Sequence, residues 1–107
     1  MPLSRGETIL VVEDDKDVRT LVVGLLTSLG YHVIDADMGT SALVRLDQHP
    51  DIDLLLTDVV LPGPMTGRDL ATEVQRRYPA VKALDMSGYI SSAIVHHGRL
   101  DADAPLL

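Results

Sequence analysis

Phenylalanine, tryptophan and cysteine are all absent from these 107 residues, and tyrosine occurs only three times. With almost no aromatic hydrocarbon to build around, a core has to be packed from aliphatic side chains. The lack of Cys excludes a disulfide framework, a thiolate zinc site and a thiol nucleophile. Basic residues are scarce too: nine Lys and Arg stand against sixteen Asp and Glu, a formal net charge of -7. A surface of that sign repels nucleic-acid phosphates, so no direct nucleic-acid contact is expected. No apolar run approaches the roughly 20 residues of a membrane-spanning helix. Met1 to Thr8 carries no signal-peptide core. The expectation is a cytoplasmic chain without membrane contact.

What is present is a folding sequence, 46% hydrophobic and of the size of one small domain. Residues 1–107 are therefore read as a single domain. Thr8 to Val12 is a β-branched and aliphatic run without polar alternation, as in a strand buried on both faces of a parallel sheet. Glu13, Asp14 and Asp15 follow at once. Val18, Leu21, Val22, Leu25, Leu26 and Leu29 then recur at helical spacing as one continuous apolar stripe, and Gly30 stands where a left-handed helix cap is expected. Tyr31 to Ala36 reads as a second strand and Gly39 to Gln48 as a short helix. Ile52 to Thr57 reads as a third strand, with Asp58 at its end. The Pro- and Gly-rich stretch from Val59 to Gly67 is a loop. Arg68 to Tyr78 reads as a helix stopped by Pro79, and Val81 to Met86 as a fourth strand. Ser87-Gly88 turns into a last helical segment, and Leu106-Leu107 stands where a fifth strand would open.

This alternation implies an α/β fold, a doubly wound parallel sheet with helices on both faces. In such sheets ligands bind beyond the carboxyl ends of the strands. Glu13, Asp14 and Asp15 fall there after the first strand, Asp58 after the third and Ser87 after the fourth. Carboxylates gathered in one crevice repel one another unless a hard divalent cation is held among them. Mg²⁺ suits oxygen ligands and can neutralise a phosphoryl group in transfer to a carboxylate nucleophile. A hydroxyl such as that of Ser87, across the site, can donate to the phosphoryl oxygens.

Leu10-Val11-Val12-Glu13-Asp14-Asp15, Leu56-Thr57-Asp58-Val59-Val60-Leu61-Pro62 and Met86-Ser87-Gly88-Tyr89, in this order, resemble the receiver family of response regulators in two-component signalling. The segments Pro62 to Gly67 and Ser87 to Tyr89 look most like receivers of hybrid sensor histidine kinases. The resemblance implies a flavodoxin-like sheet of order 2-1-3-4-5. It implies that Asp58 is the phosphoacceptor and that Asp14 and Asp58 ligate Mg²⁺ together with the backbone carbonyl of Val60. By the same resemblance Glu13 would act through a metal-bound water, and Ser87 would be the switch hydroxyl. The partner it implies is a histidine kinase or a histidine phosphotransfer domain, docking through the first helix and the loops above the site. It implies a signalling domain rather than an enzyme, with self-phosphorylation and self-dephosphorylation at most.

The family also carries a Lys-Pro at the end of a fifth strand, followed by a last helix. No Lys follows Lys82 here, so the chain reads as a receiver truncated at its C-terminus. The fifth strand is then incomplete and the last helix missing, so apolar surface on the first helix is uncovered, and self-association through the exposed edge of the fourth strand is expected.

Plainer readings stand beside each motif. Glu13-Asp14-Asp15 suits a solvated, dipole-favoured helix start. Asp58 suits a turn before Pro62, and Ser87-Gly88 a helix cap. His96-His97 point apart on any helix, and Met38, Met65 and Met86 suit packing. Asp85, inside the fourth strand, has no account from sequence. A phosphorylation-independent interaction module on the same fold stays open. So does an aspartyl-phosphate hydrolase, although the second Asp such enzymes place two residues after the nucleophile is Val60 here.

Overall fold

The computed structural model of the chain describes residues 6–86. They form strands β1 (Thr8–Val12), β2 (His32–Ala36), β3 (Leu54–Thr57) and β4 (Lys82–Asp85) and helices α1 (Lys16–Ser28), α2 (Gly39–Gln48) and α3 (Gly67–Arg77). All pairings are parallel, and the sheet order is β2-β1-β3-β4. The order predicted from sequence is found for these four strands. Among the described residues β4 pairs with β3 alone. The expected fifth strand, Ser87 and His96-His97 lie outside the described residues.

Parallel neighbours need crossover connections, and these are right-handed. The first crossover runs from β1 outward to β2. The next two run the other way, from β2 across β1 to β3 and on to β4. Reversing direction at constant handedness moves the helix to the opposite face. The core accordingly divides in two. Ile9, Val11, Leu54, Leu56 and Leu84 pack with Val22 and Leu26 of α1. Leu10, Val12, Leu55 and Ala83 pack with Ala42 and Leu46 of α2 and Leu70 and Val74 of α3. Successive residues of β1 thus serve opposite faces, which is why its sequence is apolar without alternation.

The helices end where local chemistry dictates. The Asp15 carboxylate caps α1, accepting from the N–H groups of Asp17 and Val18. Gly30, at φ 95°, closes the other end: its N–H donates to the Thr27 carbonyl, and that of Tyr31 to Leu26. Thr66 and Asp69 form a reciprocal capping box on α3. Below the sheet, the Asp53 carboxylate accepts from the Thr8 N–H at 2.9 Å and holds the start of β1 beside that of β3.

Burial along the apolar stripe of α1 is uneven. Val22 and Leu26 are buried, but Val18 and Leu25 are exposed and Leu21 stands 74% exposed. At about 100° per residue Val18, Leu21 and Leu25 lie on one side of the stripe and Val22 and Leu26 on the other, and it is the second side that meets the sheet. Smaller differences concern ends: β3 and β4 are shorter than predicted, and Gly67 begins α3 instead of ending the loop before it.

Candidate functional site

The reversal of winding falls between β1 and β3, so the loops leaving these two strands diverge and open a crevice between them. The register brings Val12 beside Thr57, and the Asp58 N–H donates to the Val12 carbonyl at 3.4 Å. On the other side the Glu13 N–H donates to the Ala36 carbonyl at 3.1 Å. Glu13 and Asp58 are therefore the first residues past adjacent strand ends. Asp85 ends β4 directly beside Thr57 and is half-buried.

Glu13 is 6% exposed. Its carboxylate accepts from the Asp14 N–H at 2.8 Å. Burial pushes this carboxyl up from its ordinary range. The Asp14 side chain and the negative charges of Asp58 and Asp14 push in the same direction, against the lowering effect of the Asp14 N–H. Asp58 is thus close enough to Glu13 for the two charges to oppose each other. Asp14 is exposed and Asp58 half-buried, and Val60 lies exposed on the loop beyond. Among the described residues no three Asp, Glu, His or Cys side chains are grouped so as to hold a metal ion by themselves. The donors on offer are carboxylate and carbonyl oxygens, a set suited to a hard cation that keeps several waters.

Two contacts that the sequence reading overlooked support Asp58. The fully buried Thr57 hydroxyl donates to the Asp58 carbonyl at 3.0 Å. Gly67 presses on the same carbonyl: a Cβ built there would stand 1.8 Å from the oxygen. Its N–H donates to Val59 at 2.8 Å. A Thr-Gly pair before a helix resembles any loop end, so nothing in the sequence marked this approach.

Arg19 was overlooked as well. From α1 its Nη1 donates to the Glu13 carbonyl at 2.7 Å, and its Nε pairs with Asp35 of β2 at 3.4 Å. A recess of about 260 Å³ opens beside them, lined by Arg19, Asp35, Ala36, Asp37, Ser41 and Arg45.

No helix among the described residues is long and apolar enough to cross a membrane. His32 is exposed and His49 half-buried.

Comparison with known proteins agrees with this arrangement. The chain is 40% identical over 97 residues to the response regulator receiver protein CpdR of Brucella abortus, covering 91% of the chain and 76% of that protein. It is 37% identical over 103 residues to the sensor kinase CckA of the same organism, covering 95% of the chain but 11% of the kinase. A chain in the crystal structure of the histidine kinase ThkA in complex with the response regulator TrrA superposes with a TM-score of 0.68. That match is 29% identical and covers 74% of this chain and 66% of that one. Residues 9–104 match the response regulator receiver domain family, and with the sheet order, the strand-end carboxylates and these relatives in agreement, the chain belongs to that family of two-component signalling domains.

Proposed function

We propose that Asp58 accepts a phosphoryl group from a phosphohistidine on a partner protein. The observation that carries this is the placing of Asp58 at the switch point, where its charge and that of Asp14 bear on the buried Glu13. Keeping such repelling carboxylates together suits a site that holds a cation and passes phosphate. Asp14, Asp58 and the Val60 carbonyl would ligate Mg²⁺, with Glu13 acting through one of its waters. Two carboxylates with waters are a usual Mg²⁺ set, so no third direct carboxylate is required. When bound, the ion supplies positive charge to offset that developing on the phosphoryl oxygens.

The steps belong to Asp58. A carboxylate oxygen attacks the phosphorus in line with the P–N bond. The P–O bond forms as the P–N bond breaks, and the histidine nitrogen keeps the bonding pair. The product is an acyl phosphate on Asp58, later released to water. Gly67 and Thr57 hold the Asp58 backbone, so its carboxylate meets the donor from a fixed base. Ser87 is proposed as the switch hydroxyl that donates to the phosphoryl oxygens.

The proposed partner is a histidine kinase or histidine phosphotransfer domain. The exposed flank of α1, with Val18, Leu21 and Leu25 beside the acidic loop, supports docking there.

Intact-mass measurement after incubation with acetyl phosphate and Mg²⁺ tests the assignment. A phosphate-sized gain is expected in the parent chain and none in Asp58→Asn. An equal gain in the variant would move the acceptor elsewhere. No gain in either would favour a phosphorylation-independent module.

A further inference from the structure

Three residues, Glu13 to Asp15, connect β1 to α1 and carry two of the site's carboxylates. Their backbone needs its own partners, because the strand pairing ends at Glu13 and the helix begins at Lys16. The Glu13 N–H is taken by Ala36 and the Asp14 N–H by the Glu13 carboxylate. The Asp15 carbonyl accepts from the Arg19 N–H at 2.9 Å, the first bond of the helix. The Glu13 carbonyl accepts from the Arg19 guanidinium at 2.7 Å. Arg19 therefore grips both ends of the connection, one with its backbone and one with its side chain.

The guanidinium is well placed for this. Its side chain is only 19% exposed, so the charge-assisted bond to Glu13 is partly shielded from water. Asp35 is 52% exposed and lies at 3.4 Å, so that ion pair is screened and weak. The planar fork serves both acceptors at once. The short, partly buried bond to the loop is the one that matters for geometry, and Asp35 holds the fork from the solvent side.

We propose that Arg19 is a positioning residue for the cation site: by tying the Glu13 carbonyl to α1 it holds the connection in the form that presents Glu13 and Asp14 beside Asp58. This rests on the phosphoacceptor reading given above. Groups that orient the ligands of a metal govern its affinity without touching it.

The experiment is calorimetric titration of the chelator-treated chain with MgCl₂, well below its melting transition. Arg19→Met, Arg19→Lys and Asp35→Asn are titrated beside the parent, each first shown to be folded by circular dichroism. Arg19→Met should weaken Mg²⁺ about tenfold. Asp35→Asn, which leaves the Glu13 bond in place, should stay within about twofold of the parent. Arg19→Lys keeps the charge and its N–H donors on a single nitrogen but loses the fork, and should fall between, at about threefold. A merely structural arginine would lower the melting temperature and leave the dissociation constant of the folded protein unchanged. Unchanged affinity in Arg19→Met overturns the proposal, as does Asp35→Asn weakening Mg²⁺ as much as Arg19→Met. Should Arg19→Met not fold, unchanged affinity in Arg19→Lys overturns it instead. A parent chain that binds no Mg²⁺ removes the cation reading itself, and the role of Arg19 with it. Binding that survives every Arg19 change removes only that role.

Discussion

Glu13 shows how one side chain can carry a cost for the fold. Burial, the Asp14 side chain and the charges of Asp58 and Asp14 raise its pKa above the ordinary 4.5, so the folded state holds its proton more tightly than the unfolded chain does. The folded state therefore binds more protons between the two values, and stability falls as pH rises through that window. Above the folded value the penalty is present in full; below the unfolded value it is gone. Glu13→Gln keeps an oxygen for the Asp14 N–H and removes the charge. In chelator-treated buffer it should melt higher than the parent at pH 7, with the advantage shrinking as pH falls toward 4.5. Paired thermal melts across this range check it; a constant difference would mean that Glu13 titrates normally. Gly67 makes the opposite point, since here the missing side chain matters. A Cβ 1.8 Å from the Asp58 oxygen forces backbone to move, so Gly67→Ala should cost at least about 2 kcal/mol in urea unfolding. Gly24 lies inside α1 with nothing within 4 Å of its Cβ position. Gly24→Ala should instead stabilise by about 0.5–1 kcal/mol.

At the scale of elements, α1 is where pattern and structure part. Its six apolar positions read as one stripe, yet only the arc around Val22 and Leu26 meets the sheet. Periodicity reports which side of a helix is apolar and says nothing of how wide a surface awaits it. Leu26→Ala removes a fully buried side chain and should cost about 2–5 kcal/mol. Leu21→Ala, on the exposed flank, should change stability by no more than about 0.5 kcal/mol. Equal losses by chemical denaturation would place Leu21 in the core. The outward face of α3 is held by surface electrostatics of little consequence. Glu73 pairs with Arg76 and Arg77, and the contact with Arg76 chiefly holds its carboxyl below the usual range. Such exposed pairs are screened by salt. More useful is the link across elements from the Tyr78 hydroxyl to the Asp47 carboxylate, which ties the end of α3 to α2.

For the whole molecule, four parallel strands between helices bring residues 45 positions apart, Glu13 and Asp58, to adjacent strand ends. A ligand held by that assembly stabilises only the folded state. On the proposed reading, Mg²⁺ at about a hundred times its dissociation constant should add about 2.7 kcal/mol. In a domain of this size that raises the melting temperature by about 10 °C or more. Asp14→Asn should lose most of this shift, and a parent chain whose melting ignores Mg²⁺ would count against the cation site. Much of the stability being drawn on comes from the aliphatic core. No Phe or Trp contributes to it, and the two-sided strands compensate by burying every residue of β1 and β3.

Strand and helix order, the two-faced burial of β1 and β3, the cap at Gly30, the stop at Pro79 and the placing of Asp58 at a strand end were legible in the residues alone. All depend on interactions between near neighbours in sequence or on a strand's local pattern of apolar side chains. The family resemblance supplied the strand order, and the right-handed crossover explains why that order puts α1 opposite α2 and α3. Two things came only from the folded chain. The pressure of Gly67 on Asp58 depends on where α3 enters. The reach of Arg19 back to Glu13 and across to Asp35 depends on α1 packing beside β2. Each joins groups whose distance is set by the path of the chain between them, and no local pattern encodes that distance.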